Sequence, residues 1–185
     1  MSKNSKKIIF FCPTIADGGL EKTLSIYLNY LSEFNKVSLV TNTTNIKRLS
    51  NIKKKVEIIN PKNIFLTKFR LLNNIFCIHK VLKNTGRESI IFSMQDHFIL
   101  LLLKYFGLKN LLVFRTMGAI YNGKNAHESK QLKKYFFLKK FIINFYKYAD
   151  LIITFSDNNR IYLKKVNKVK NVETIHNYFQ KHNGR

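Results

Sequence analysis

Short, wholly apolar runs alternate with longer segments of helical periodicity along this chain, and that alternation constrains its fold more than any other feature. The first run, residues 8–12 (IIFFC), has no polar position on either face and is ended by Pro13. A strand of this kind needs cover on both sides, which parallel α/β sheets provide with helices. The next segment supplies a helix, because apolar residues recur from Leu20 to Leu31 every three or four positions.

The same pattern continues to the end of the chain. Further apolar runs predict strands at residues 37–41, 56–59, 89–93, 111–114, 151–155 and 172–175. We expect helices at residues 69–82, with Lys and Asn on the solvent side, from an Asp96 N-cap to Gly107, at residues 130–149, and after a Ser156 cap. With right-handed crossovers, these elements predict a Rossmann-like, doubly wound parallel α/β sheet of about seven strands.

Length and composition fit one cytoplasmic domain. The 185 residues are enough to bury a hydrophobic core without disulfide bonds or structural metals. Cys12 and Cys77 have no metal-binding or redox spacing, so we expect both thiols to be buried and reduced. No signal peptide is recognisable, and the longest purely apolar run, residues 98–103, is far shorter than the ~20 residues that span a bilayer. The protein is expected in the cytoplasm, either free or peripheral on the inner face of the cytoplasmic membrane.

The net charge of +23 predicts attraction to anionic partners. Phospholipid headgroups, nucleic acid and phosphorylated substrates all fit it. Nucleic acid is the weaker interpretation, because no RNA- or DNA-binding signature accompanies the lysines, which are spread over most of the predicted helices.

Ligands of open α/β sheets bind beyond the carboxyl ends of the strands, and this rule selects the candidate site residues. The residues that directly follow predicted strands are Gly18 and Gly19, the segment Ser93 to His97 with Gln95 and Asp96, Arg115 with Thr116, Ser156, and Asn177.

Each candidate has a chemical role and a structural alternative. Gly18 and Gly19 at a helix N-terminus can present backbone N–H groups to a phosphate, or form a plain strand-to-helix turn. Glu21 in the first helical turn either contacts a ligand or stabilises the helix dipole. Arg115 can bind phosphate or carboxylate in bidentate fashion, or pair with a carboxylate such as Asp96 at the sheet edge.

Asp96 and His97 are an adjacent carboxylate and imidazole that suit general-base chemistry. The structural alternative is that Asp96 is the N-cap of the following helix and His97 a residue of its first turn. No His and Cys cluster predicts a metal, and none is expected as a cofactor.

The predicted helix at residues 130–149 carries a separate signal. Lys133 and Lys140 lie on one of its faces beside Phe136 and Phe137. Lysines interleaved with aromatic side chains suit the interface of an anionic membrane, and a solvated face with incidental phenylalanines is the alternative.

Taken in order, these segments resemble the N-terminal, acceptor-side domain of glycosyltransferases with the GT-B fold, of the GT4 type. The resemblance begins with IIFFCPTIADGGLEKTLSIYL, which contains a Gly-Gly-x-Glu turn, and continues through VSLVTN, IIFSMQDHF and LLVFRTMG. It ends with YADLIITFSDNNRIYL and VETIHNYF, and therefore covers essentially the whole chain. It implies that residues 1–179 form one half of a GT-B fold and that residues 180–185 are a tail or the start of an inter-domain linker.

The resemblance also implies a function: retaining transfer of a sugar from a nucleotide-sugar to a lipid-linked or cell-envelope saccharide, of hexosyl or N-acetylhexosaminyl type. The Gly-Gly loop of the family lies beside the donor diphosphate, which corresponds to Gly18, Gly19 and Glu21. Arg115 stands where many relatives have a histidine, and some relatives carry arginine at this point. Ser93 to His97 corresponds to a segment that lines the same cleft.

The chain departs from the family in one respect. Relatives usually continue into a second domain that binds the nucleotide and carries two glutamates spaced E-x7-E, and no such pair occurs here. We therefore expect a catalytically incomplete unit, either a fragment or one subunit of a split enzyme. A non-catalytic, membrane-associated scaffold that recruits a separate donor-binding chain is the competing interpretation.

Overall fold

The computed structural model describes residues 6–15, 19–43, 50–60, 69–86, 88–116, 141–165 and 168–176. They form one seven-stranded sheet with the order β3-β2-β1-β4-β5-β6-β7. The strands are β1 Lys7–Phe11, β2 Lys36–Val40, β3 Glu57–Ile59, β4 Ile90–Ser93, β5 Leu111–Arg115, β6 Leu151–Thr154 and β7 Val172–Thr174. All neighbouring strands are parallel, so the predicted Rossmann-like, doubly wound sheet is confirmed.

The described helices are α1 Gly19–Leu31, α2 Arg70–Asn84, α3 Phe98–Tyr105 and α4 Asp157–Lys165, with a 3₁₀ turn at Phe145–Tyr148. Helix α1 packs on one face of the sheet through Leu24 and Leu28. Helices α2, α3 and α4 pack on the opposite face. The strand order reverses between β1 and β4, which makes the carboxyl ends of these two strands the switch point.

Strand β1 lies at the centre of both hydrophobic layers. Phe10 stacks on Phe92 beneath α1, with ring centroids 4.7 Å apart, and Phe11 belongs to the layer on the other face. Both side chains are fully buried. The absence of any polar position in the apolar run is thus a direct consequence of cover on both faces.

Asp150 joins three elements at the amino edge of the sheet. One carboxylate oxygen, Oδ2, accepts a hydrogen bond from the backbone N–H of Leu112 at 2.7 Å and pairs with Lys104 Nζ at 2.8 Å. Lys104 Nζ also donates to the carbonyl oxygen of Asn110 at 2.8 Å. Asp150 therefore holds the end of α3 against the starts of β5 and β6.

The solvent side of α2 differs from the prediction. Lys80 is partly exposed, but Asn73 and Asn74 are buried, and large apolar side chains face outward instead. For Asn73 the reason is polar chemistry at the end of β2, where Asn42 Nδ2 donates a 2.7 Å hydrogen bond to Asn73 Oδ1. The prediction that asparagines lie on the solvent side of this helix was therefore wrong for Asn73 and Asn74.

Two helix boundaries also differ from expectation. Asp96 does not cap α3: the N-cap residue is His97, which makes no side-chain capping bond, and Asp96 adopts a left-handed backbone with φ of 50°. The helix predicted at residues 130–149 is helical over 141–144 and then tightens into the 3₁₀ turn, while residues 130–140 lie outside the described part. Ser156 caps α4 as predicted, accepting from the backbone N–H of Asn159 at 3.3 Å.

The Asp150 anchor can be tested by substitution. Asp150→Ala leaves the Leu112 N–H without its acceptor and should lower the free energy of unfolding by about 2 kcal/mol in urea denaturation. Glu33→Ala is the control, because Glu33 pairs with Lys53 on the open surface and should change stability little. Equal effects of the two substitutions would contradict the structural role of Asp150.

Candidate functional site

The carboxyl edge of the sheet brings most of the predicted site residues together. Parallel hydrogen bonding continues past the strand ends, from Met94 N to Phe11 O at 3.0 Å and from Thr116 N to Ile153 O at 2.9 Å. The segments that follow β1, β4, β5 and β6 therefore meet along one edge, which is the geometry that the strand-end rule requires. Gly19, the Ser93–His97 segment, Arg115 and Ser156 all lie there.

Several predicted residues fall outside the described part of the chain. They are Gly18 and Asn177 of the cleft, and Lys133, Phe136, Phe137 and Lys140 of the expected membrane surface.

Arg115 ends β5 on the face that α1 covers. Its side chain is buried, and Nη1 donates to the hydroxyl oxygen of Tyr27 at 3.1 Å. The guanidinium carbon also lies 5.2 Å from the centroid of the Tyr27 ring, within range of a cation–π contact. Tyr27 is not among the site residues predicted from the sequence, so its contact with Arg115 is new from the structure.

His97 lies on the opposite face of the same edge. Its ring stacks on Phe114, with centroids 4.4 Å apart and planes inclined by 18°, and meets the edge of Tyr146 at 6.4 Å. Phe114 and Arg115 are consecutive on β5, so their side chains point to opposite faces. The sheet edge therefore separates an imidazole on one side from a guanidinium on the other.

The hydrogen bonds of Ser93 favour one His97 tautomer. Ser93 Oγ donates to the carbonyl oxygen of Gln95 at 2.9 Å, and it also lies 3.3 Å from His97 Nδ1. While the hydroxyl proton is directed at Gln95, the oxygen can only accept from the ring, which favours the hydrogen on Nδ1. Nε2 is then left with a lone pair, ready to accept a hydrogen bond.

Burial keeps this imidazole neutral. Desolvation lowers the pKa of His97 from 6.5 to about 4, and the nearby Asp96 opposes that change only in part. Burial, with smaller contributions from Asp96 and Cys77, likewise raises the pKa of the Cys12 thiol to about 12. Cys12 and Cys77 are buried and not disulfide-bonded, as predicted.

The remaining candidates are placed as follows. A Cβ atom built on Gly19 would meet no atom within 4 Å, so the space over this residue is open. Glu21 lies in the first turn of α1, where its charge stabilises the helix dipole. The Ser156 hydroxyl is engaged in capping α4.

A polar group at the end of β2 escaped the sequence analysis. Asn42 and Asn73 are joined side chain to side chain, Thr43 Oγ1 accepts from the backbone N–H of Ile15 at 2.8 Å, and Asn60 Nδ2 donates to the Thr43 carbonyl oxygen at 3.2 Å. The strand-end rule would have selected Asn42, because it follows the second predicted strand in the same way that Arg115 follows the fifth. Asn73 has no comparable signal, since it lies within a helical pattern.

The structure resembles known glycosyltransferases in fold. The Anabaena protein Alr3699/HepE, solved with UDP-glucose, superposes with a TM-score of 0.61 at 16% identity over 94% of this chain and 44% of its own. A glycosyltransferase from Rickettsia africae gives a TM-score of 0.55 at 18% identity over 94% of this chain and 43% of its own. No protein-family model and no curated protein sequence matches the chain.

These likenesses are likenesses of fold, a Rossmann-like α/β domain, and the chain spans less than half the length of these structural neighbours. Among the described residues, no helix is long and apolar enough to cross a membrane.

The lowered pKa of His97 predicts a pH-dependent stability. Between about pH 4 and 6.5 the His97 imidazole binds a proton in the unfolded chain but not in the folded chain. The free energy of unfolding should therefore rise with pH across this window and fall as the pH is lowered. The free energy of unfolding should decrease by up to about 3 kcal/mol at the acid end of this window. The decrease is smaller to the extent that solvent reaches the imidazole ring.

His97→Phe keeps an aromatic ring against Phe114 but cannot titrate, and it should flatten this slope in urea denaturation measured at several pH values. The same exchange at the exposed His79 is the control and should keep the wild-type slope. An unchanged slope in His97→Phe would show that the imidazole is not held neutral by the fold.

Proposed function

We propose that this chain is the acceptor-side domain of a glycosyltransferase that transfers a sugar, with retention of configuration, from a nucleotide-sugar to a lipid-linked or cell-envelope saccharide. The observation that carries the proposal is the shared carboxyl edge, where an open helix N-terminus, a neutral imidazole and a buried arginine follow or end the neighbouring strands β1, β4 and β5. The fold shared with a glycosyltransferase, and with a protein solved with UDP-glucose, supports it.

The donor diphosphate is assigned to the start of α1. Backbone N–H groups of a first helical turn attract phosphate, and the open space over Gly19 lets the phosphate approach the main chain closely. Gly18 is assigned to the same loop by the family resemblance, and Glu21 completes the motif. Arg115 contributes positive potential to the edge from the α1 face, held in place by Tyr27.

The acceptor sugar is assigned to the segment that follows β4. Sugar hydroxyls are donors, and His97 Nε2 is an acceptor whose orientation Ser93 and the Phe114 ring fix. Gln95, Asp96, Ser156 and Asn177 are proposed to line the same cleft. Asp96 holds a left-handed backbone, a strained conformation that places the Gln95–His97 turn at the sheet edge.

The second wall of the cleft is proposed to come from a donor-binding domain, either in another chain or in a longer form of this polypeptide. No metal is proposed, because the charge of the diphosphate can be balanced by helix N–H groups and basic side chains.

The overall proposal is tested by mixing the chain with the product of the adjoining reading frame, a nucleotide-sugar and a lipid-linked saccharide. Transfer that needs both proteins, with the donor's anomeric configuration kept in the product by NMR, is the expected result. Transfer by the chain alone would show that it is catalytically complete. Failure of every donor in the mixture would favour a non-catalytic scaffold.

Gly19→Ala tests the donor assignment. Because the added methyl group meets open space and alanine is the better helix former, the free energy of unfolding should stay constant or rise by up to about 1 kcal/mol. Titration with UDP-glucose, followed by NMR, should nevertheless show weaker binding than in the wild type. Thr23→Ala, one helical turn further on, is the control and should bind as the wild type does. Unaltered binding in Gly19→Ala would remove the diphosphate from this turn.

His97→Asn tests the acceptor assignment. The asparagine amide can still donate to Ser93 but does not reach the position of Nε2, so the KM for the acceptor should rise about tenfold while the KM for the donor stays constant. His97→Gln returns an acceptor oxygen near that position and should recover part of the loss. A rise in the KM for the donor instead would place His97 on the other substrate.

A further inference from the structure

The outward face of α2 is a continuous apolar surface. We use the term α2 face for Leu71, Leu72, Ile75 and Phe76, together with Leu82 one to two turns further on. Each of these side chains is more than a third exposed, and Leu71 reaches 64%. Their positions repeat at intervals of three, four and seven, so they lie on one side of the helix.

The amphipathic pattern of the first two turns of α2 is inverted. Asn73 and Asn74 point inward and are 3% and 6% exposed, while the four apolar residues around them point outward. In a helix that meets only water on its outer side, the opposite arrangement is the stable one. A contiguous exposed apolar surface of this kind marks a site of contact with a protein or a membrane.

Charge decides between the occupants of this face. The helix and its flanks carry Arg70, Lys80 and Lys83, and residues 69–86 contain no Asp or Glu. Each copy of the chain has a net charge of +23, so two copies repel one another, whereas an anionic lipid surface attracts the chain.

A second exposed apolar patch lacks this feature. The side chains of Ile26 and Tyr30 on α1, and of Phe34 in the turn that follows it, are 63–66% exposed. Residues 19–36 carry two glutamates and two lysines, so this patch has no net charge, whereas residues 69–86 carry basic residues and no acidic ones. Exposed apolar side chains therefore coincide with a segment that has basic and no acidic residues on α2, but not on α1.

We propose that α2 lies in the interface of an anionic lipid bilayer, with its apolar side chains among the acyl chains and its basic residues at the headgroups. Helix α2 begins at the carboxyl edge of the sheet, as the Asn42–Asn73 hydrogen bond shows. An α2 bound in this way holds the candidate site close to the lipid surface. The membrane contact stands on the exposure and charge of α2 and does not depend on the proposed transferase activity.

The first experiment is sedimentation of the full chain with vesicles of phosphatidylcholine, alone or mixed with phosphatidylglycerol. The chain should sediment with the mixed vesicles, and less so as salt is added. Leu71→Ser/Ile75→Ser should weaken this binding about tenfold, because two large apolar contacts are lost.

The matched control is Ile26→Ser/Ile161→Ser. These side chains are exposed to the same extents as Leu71 and Ile75, at 64% and 45%, but lie on α1 and α4. The control should bind vesicles as the wild type does. Thermal unfolding of both variants followed by circular dichroism shows whether each remains folded.

A spectroscopic probe reports insertion directly. The chain contains no tryptophan, so Phe76→Trp introduces a single fluorophore on the α2 face. Its emission should shift to shorter wavelength with the mixed vesicles and be quenched by brominated lipid. Phe34→Trp, in the turn that follows α1, should show neither effect.

Three outcomes would overturn the proposal. They are a wild-type chain that does not bind the mixed vesicles, equal loss of binding in the α2 and control variants, and dimerisation in the absence of lipid that Leu71→Ser/Ile75→Ser abolishes. The last result would assign the α2 face to a second copy.

Discussion

The whole structure depends on the burial of β1 on both faces within a parallel ladder. Phe10 and Phe11 are consecutive and fully buried, one beneath α1 and the other beneath the helices of the opposite layer. A strand in this position can only pair with parallel neighbours whose crossovers supply the two layers of helices. Because every strand then ends at the same carboxyl edge, the sheet alone brings the following loops together. Contacts among the site residues are not needed for this.

The sequence predicted the sheet well because strands buried on both faces carry an unambiguous signal. Each of the seven predicted strands overlaps an observed one, with boundaries displaced by a residue or so. The prediction of which side chains are buried fails where tertiary hydrogen bonds determine burial. Asn73 looks like a solvent-facing residue in the pattern of α2, but Asn42 from the end of β2 gives its side chain a buried partner.

The candidate site was predictable in its location and not in its contacts. Strand ends pointed to Ser93, His97 and Arg115, but nothing in the spacing indicated that Tyr27, which lies 88 positions from Arg115, would hold the guanidinium. The same holds for the His97 tautomer, which depends on where a single Ser93 proton goes. Such details arise from geometry across the sheet, because residues distant in sequence supply the partners, and periodicity along the chain does not encode them.

The inverted face of α2 and the polar end of β2 have one physical origin. Carboxyl ends of parallel strands leave carbonyl and side-chain groups that need hydrogen-bond partners, and the buried Asn73 near the start of α2 meets that need for Asn42. A helix that turns its amides inward at one end must turn its apolar residues outward there. The polarity of the sheet edge therefore accompanies an exposed apolar surface beside it. In a fold of this kind the candidate cleft and the proposed membrane-binding surface can share one edge.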